Sequence, residues 1–184
     1  LIPIAVKNQR TPFSHLFRNW TWVLTGNLIG SVTYAYLYCI VATKMGTIDP
    51  ETIPALQRTI AIAETKTLEY AKLGMNGTIT AFTSAILCNW MVTLGTVMAF
   101  TSTATIGKIA AMWLPIMTFF GLGYEHAIVN MFVIPAGILL GADITIADWW
   151  LWNGFPVIAG NLFGGMIFTG FMLYWSYGKS TNQS

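Results

Sequence analysis

Three polar side chains stand inside an apolar stretch of membrane length. In "GLGYEHAIVN", Glu125 and His126 are adjacent, and Asn130 follows four residues after the histidine. No Asp, Glu, Lys or Arg occurs from Ile109 to Tyr124 or from Ala127 to Ala142. An imidazole titrates near pH 6.5 and so supplies or senses a proton close to neutrality. A carboxylate at the same place caps backbone N–H groups or bonds a partner side chain. Asn130 shares a helical face with His126. Ionisable groups inside a bilayer are costly and usually face a bundle interior or a cavity. Weighed against a satisfied core histidine and a structural cap, we read His126 as functional and Glu125 as holding the loop.

These residues must be positioned by membrane helices. The 184-residue chain is 55% hydrophobic and 9% charged, against about 25% charged in soluble domains. A net charge of +2 without a basic run excludes nucleic acid as a partner. Cys39 and Cys88 lie within apolar segments and read as small core residues. A crossing helix needs about 20 apolar residues. That length predicts spans at about residues 20–43, 77–100 and 155–177. Ile109 to Phe120 and Ala127 to Leu140 are each too short, so residues 109–140 are expected to cross once as two half-helices broken at 121–126. Gly121 and Gly123 weaken the helix there. Residues 47–72 carry four acids and three bases and place Leu56, Ile60 and Ala63 at helical spacing. They read as an extramembrane loop with an amphipathic helix.

Lys7, Arg10, Arg18, Lys108 and Lys179 fall on one side if the spans alternate, which makes that side, and the C-terminus, cytoplasmic. Trp20, Trp22, Trp149, Trp150, Trp152 and Trp175 gather near span ends, as an interfacial aromatic belt does. "TGNLIGS" (residues 25–31) resembles "AGNLFGG" (residues 159–165), and "LIPIAV" at the start resembles "VIPAGI" (residues 133–138). The offsets, 134 and 132 residues, nearly coincide. We read an internal repeat whose halves have opposite topology, a transporter and channel architecture. Close approach of helices is the simpler account of the Gly-x-x-x-Gly spacings alone. On the repeat reading, a first helix and most of a broken second helix are expected ahead of Leu1, making six spans in all.

"LCNWMVTLG", then "WLPIMTFFGLGYEHAIVNMFVIPAGILL", then "FPVIAGNLFGG" closely resemble the formate/nitrite transporter family, and the similarity covers nearly the whole chain. The resemblance implies an all-α membrane protein, an aquaporin-like inverted-repeat bundle with broken helices, assembled as a homopentamer with one pore per protomer. It implies passage of small monovalent anions such as formate, nitrite, hydrosulfide or lactate, often with a proton, across a cell membrane. On this chain it makes His126 the central pore histidine and Asn89 a polar pore residue. Asn130 and Glu125 belong to the broken helix, Phe119 and Val92 to apolar constrictions, and Lys72 to the outer end of the preceding span. The expected mechanism draws the anion in at Lys72 and the half-helix dipole. A greasy ring rejects the bare charge, a proton passes at His126, and Asn89 and Asn130 hold the imidazole.

An aquaporin-like channel for neutral solutes is the alternative, but no Asn-Pro-Ala motif occurs. Two histidines, His15 and His126, the former expected in a cytoplasmic loop, do not make a metal cluster. No cofactor and no enzymatic reaction are expected.

Overall fold

The computed structural model describes residues 12–177, and among them all regular structure is helical. The elements are α1 (Phe13–Ala42), α2 (Pro54–Thr65), α3 (Leu68–Leu73), α4 (Met75–Phe100), α5 (Thr105–Gly121), α6 (Ala127–Leu139) and α7 (Ile146–Ser176). Helices α1, α4 and α7 are each long and apolar enough to cross a membrane; α5 and α6 are shorter apolar helices. Lys7, Arg10, Lys179 and the "LIPIAV" segment fall outside the described residues.

Helix α1 starts ahead of Trp20, so His15 and Arg18 lie in its first turns rather than in a loop. It ends where the Thr43 hydroxyl donates to the Cys39 carbonyl (2.7 Å) and accepts the Gly46 N–H (3.0 Å). Lys44, Met45 and Gly46 then adopt φ of 49°, 60° and 80°. This run of left-handed backbone ends the helix abruptly. Asp49 accepts the Glu51 N–H (2.9 Å) to open a single tight turn, and Pro54 occupies the first position of α2, where its missing N–H is not needed. Leu56 and Ala63 are buried and press α2 onto α6, so closely that a Cβ at Gly137 would overlap that of Ala63.

Helix α7 begins at Ile146, well before residue 155, because Thr145 and Asp148 form a reciprocal capping box (3.0 and 3.1 Å) that satisfies two N–H groups of the first turn. Trp149, Trp150 and Trp152 therefore sit on the helix itself. Two stretches, Trp149–Gly154 and Gly164–Phe171, are π-helical, which widens the turn and re-aims the side chains that follow.

The most extensive packing joins α4 to α7 and to α5, while α6 lies against α1 and α2. Gly160 and Gly164 set the α4–α7 distance: a Cβ on either would overlap a backbone carbonyl oxygen, of Phe82 or Ile86. Gly26 and Gly30 of α1 have nothing within 4 Å. Helix α6 is the most enclosed, burying Asn130, Met131, Ile134 and Ala136. Outer faces of α1 and α5 expose Trp22, Trp113 and Leu114.

Candidate functional site

The break between α5 and α6 is dictated by Gly123. Its N–H bonds the Phe120 carbonyl (3.1 Å) and the Tyr124 N–H bonds the Phe119 carbonyl (3.0 Å). This is the Schellman pattern, which needs a left-handed residue after the helix; Gly123 supplies φ of +69°. The chain then runs extended to His126, the N-cap of α6 (φ −116°, ψ 119°).

Neighbouring side chains satisfy the backbone groups opened by the break. Ser84 Oγ accepts the Glu125 N–H (3.1 Å), Asn161 Oδ1 accepts the Ala127 N–H (2.8 Å), and His126 Nδ1 accepts the Val129 N–H (3.4 Å). Asn161 Nδ2 donates to two carbonyls, those of Glu125 and Ala85 (2.9 Å each). Asn161 of α7 thus ties the end of the break and the first residue of α6 to α4.

Glu125 is 1% exposed, and its carboxylate accepts four hydrogen bonds. Lys66 Nζ (2.8 Å) and the Tyr70 hydroxyl (2.9 Å) donate to Oε1; Asn130 Nδ2 (2.6 Å) and Asn153 Nδ2 (3.0 Å) donate to Oε2. The carboxylate does not cap α6. It is a buried anion neutralised by an ammonium that is 13% exposed. Asn153, in the first π-helical stretch, also accepts from Asn130 (2.9 Å) and donates to the Lys66 carbonyl (2.9 Å). It thereby fixes the segment that presents the lysine. Burial, and then the Glu125 carboxylate, push the Tyr70 hydroxyl well above its ordinary range. Asn130 Oδ1 is the single buried side-chain polar atom without a hydrogen-bond partner among the described residues.

His126 is half-buried and stacked on Phe119, with ring centroids 5.6 Å apart and planes 18° from parallel. Phe119 stacks in turn on Phe120 (4.7 Å). Because Nδ1 accepts the Val129 N–H, the neutral ring carries its proton on Nε2, which has no bonded partner among the described residues. That nitrogen is a donor available to an incoming oxygen atom. The N-terminal end of α6 adds partial positive charge beside it.

The structure brings together Glu125, His126, Asn130 and Phe119, and distributes the other expected residues differently. Asn89 donates to the Asn161 carbonyl (2.5 Å) and so joins α4 to α7. With Asn130 engaged by Glu125 and Asn153, neither amide holds the imidazole. Lys72 is exposed and paired with Glu69 (2.7 Å), which holds its ammonium above the ordinary range. The cation at the break is Lys66. Val92 is half-buried on α4, one turn beyond Asn89. Both cysteines are unpaired and buried. Sequence reasoning missed Ser84, Tyr70, Asn153 and Asn161 as partners of the break. The available signal was the presence of Asn153 and Asn161 within the longest apolar helix, where an unpaired amide is costly.

Apolar helices around a broken one, with an enclosed ion pair and a histidine at the break, define a multi-pass membrane protein of the channel and transporter class. The formate/nitrite transporter profile matches residues 1–175, and the chain belongs to that family. It is 37% identical, over 97% of its length, to a probable formate transporter of Methanothermobacter thermautotrophicus, and 34% identical to the uncharacterized transporter YrhG of Bacillus subtilis. It is 28% identical over 95% of its length to the formate channel FocA of Escherichia coli. The chain spans 65%, 62% and 64% of these three relatives. A solved pentameric formate channel with formate bound superposes with a TM-score of 0.71 at 28% identity, covering 89% of this chain and 67% of that one.

Proposed function

We propose that the protein carries small monovalent weak-acid anions, formate, nitrite or a close relative, across a cell membrane. Transport is coupled to protons through His126. The observation that carries this reading is the break itself: a buried carboxylate paired with Lys66 beside an imidazole whose Nε2–H is uncommitted among the described residues. The neutral pair leaves the α6 dipole and the imidazole as the local attraction for an anion. The relatives' names and the formate-bound channel support the substrate class.

In the mechanism, the anion enters against the stacked rings of Phe119 and His126, with Val92 narrowing the path farther along α4. An unneutralised ion does not pass an apolar ring, because desolvation costs many kcal/mol. Once a proton taken up from the entry side has made the ring an imidazolium, its Nε2–H donates to an anion oxygen and passes that proton to it, which leaves a neutral ring, and the neutral acid crosses. An imidazolium with Nδ1 protonated gives up its bond to the Val129 N–H, so proton transfer and the N-cap of α6 are linked. Lys66, Tyr70, Asn130 and Asn153 hold Glu125, and Asn161 and Ser84 hold the backbone. The protein is a transporter rather than an enzyme, a homopentamer like its structural neighbour, with its C-terminus cytoplasmic by the lysine and arginine distribution.

The test is flux of formate and nitrite into liposomes containing the full-length protein, at two pH values. His126→Phe is expected to abolish proton-coupled uptake. Unchanged flux with an unchanged pH profile refutes the role of the imidazole.

A further inference from the structure

Formate and nitrite each spread one charge over two oxygens, and His126 offers a donor, Nε2–H, to one of them. An anion drawn out of water gives up its hydrogen bonds there, so a single donor leaves the second oxygen uncompensated. The hydroxyl of Ser84 stands at the same break. Ser84 is half-buried on α4, and its Oγ accepts the N–H of Glu125, the residue before His126, at 3.1 Å. Serine and threonine inside a helix commonly turn their hydroxyl back onto the carbonyl four residues earlier. On α4, Thr80, Thr93 and Thr96 do so (2.7, 2.7 and 3.0 Å). Ser84 does not. Its Oγ is turned to the break, and its hydroxyl hydrogen has no acceptor among the described residues. Accepting a backbone N–H polarises the hydroxyl and strengthens what it can donate.

We propose that Ser84 is a specificity-determining residue of the anion path. Its Oγ–H donates to the second oxygen of a two-oxygen anion while His126 Nε2–H holds the first. The inference rests on the transport reading and deepens it, because it names the anion shape the path prefers. Two donors on separate elements serve both oxygens of formate or nitrite. Only one of them reaches the sulfur of hydrosulfide, whose charge sits on a single atom. The same bond suits release. It is charge-assisted while the substrate is an anion, and such bonds are roughly twice as strong as neutral ones. Once the imidazolium has passed its proton to the first oxygen, Ser84 holds only the unprotonated oxygen of a neutral acid. The grip therefore weakens as the proton moves.

The test compares initial uptake rates of formate, nitrite and hydrosulfide into one preparation of liposomes holding the full-length protein, at one pH. Ratios of these rates do not depend on how much protein assembles. Ser84→Ala is expected to lower the formate-to-hydrosulfide and nitrite-to-hydrosulfide ratios about tenfold, the low end for one hydrogen bond to a charged group. Ser84→Thr, which keeps the hydroxyl, is expected to retain the native ratios. Ser84→Cys, a weaker donor, is expected to fall between and is read alone where Ser84→Ala does not assemble. A serine that did no more than satisfy the Glu125 N–H would, when lost, slow all three anions alike. Unchanged ratios, or an equal loss for all three anions, overturn the proposal and leave the transport reading standing. Native protein that carries none of the three refutes both.

Discussion

Replacing Lys66 by Met removes the one cation bonded to Glu125 among the described residues. Glu125 is 1% exposed and Lys66 is 13% exposed, so water has little access to either charge. Breaking one side of a buried ion pair costs about 3–5 kcal/mol, because the other charge stays buried without its counterion. Three neutral donors, Tyr70, Asn130 and Asn153, remain on the carboxylate, which places the expected loss near the low end, about 3 kcal/mol. Glu125→Gln is expected to cost a similar amount for a geometric reason. Whichever side the amide nitrogen takes, it faces two donors, Lys66 and Tyr70 on one side or the two asparagine amides on the other. The double variant removes both charges, so its loss should fall short of the sum by about 2 kcal/mol. Equilibrium unfolding of the full-length protein in mixed micelles, followed by tryptophan fluorescence, measures all three. A loss below about 1 kcal/mol for Lys66→Met, or additivity within about 0.5 kcal/mol, refutes the claim that this pair anchors the break.

Lys72→Met leaves the unfolding midpoint unchanged in the same assay, since its exposed pair with Glu69 is screened by water; a loss like that of Lys66→Met overturns the assignment of the two lysines. Phe119→Leu keeps the site apolar but removes the ring that covers His126. It is expected to shift the pH profile of liposome flux while costing about 1 kcal/mol of stability, and an unaltered profile takes Phe119 off the path. Gly160→Ala forces a methyl against the Phe82 carbonyl and Ala85, a loss of about 1–3 kcal/mol by overpacking. Gly121→Ala, with open space around it, is tolerated in the same unfolding measurement.

Much of the fold lies on the surface of the sequence. Apolar run length marks α1, α4 and α7, and the two glycines inside an over-long run mark the break between α5 and α6. Amphipathic spacing marks α2 through Leu56 and Ala63. The site is less legible, because its partners come from positions that no local pattern singles out. Lys66 is one of three bases in a mixed-charge loop, and only the packing of α2 and α3 over the break distinguishes it from Lys72. Asn153 and Asn161 sit in a helix whose π-helical turns interrupt the 3.6-residue period, so their common direction is not visible on a helical wheel. The start of α7 was hidden for another reason: its capping box includes Asp148, a charge that a hydropathy reading places outside the helix.

The order of the bonds along the chain bears on synthesis. Lys66 precedes Glu125 by 59 residues, whereas Asn153 and Asn161 follow it by 28 and 36. A ribosome delivering the acidic residue to the translocation machinery therefore finds its counterion already made. At the centre of a membrane helix an unaccompanied acid carries a partition penalty of about 2.5–3.5 kcal/mol, and a counterion made earlier in the chain lowers any such penalty at Glu125. The amides of Asn153 and Asn161 are made last and complete the hydrogen bonds around a residue whose counterion is already present.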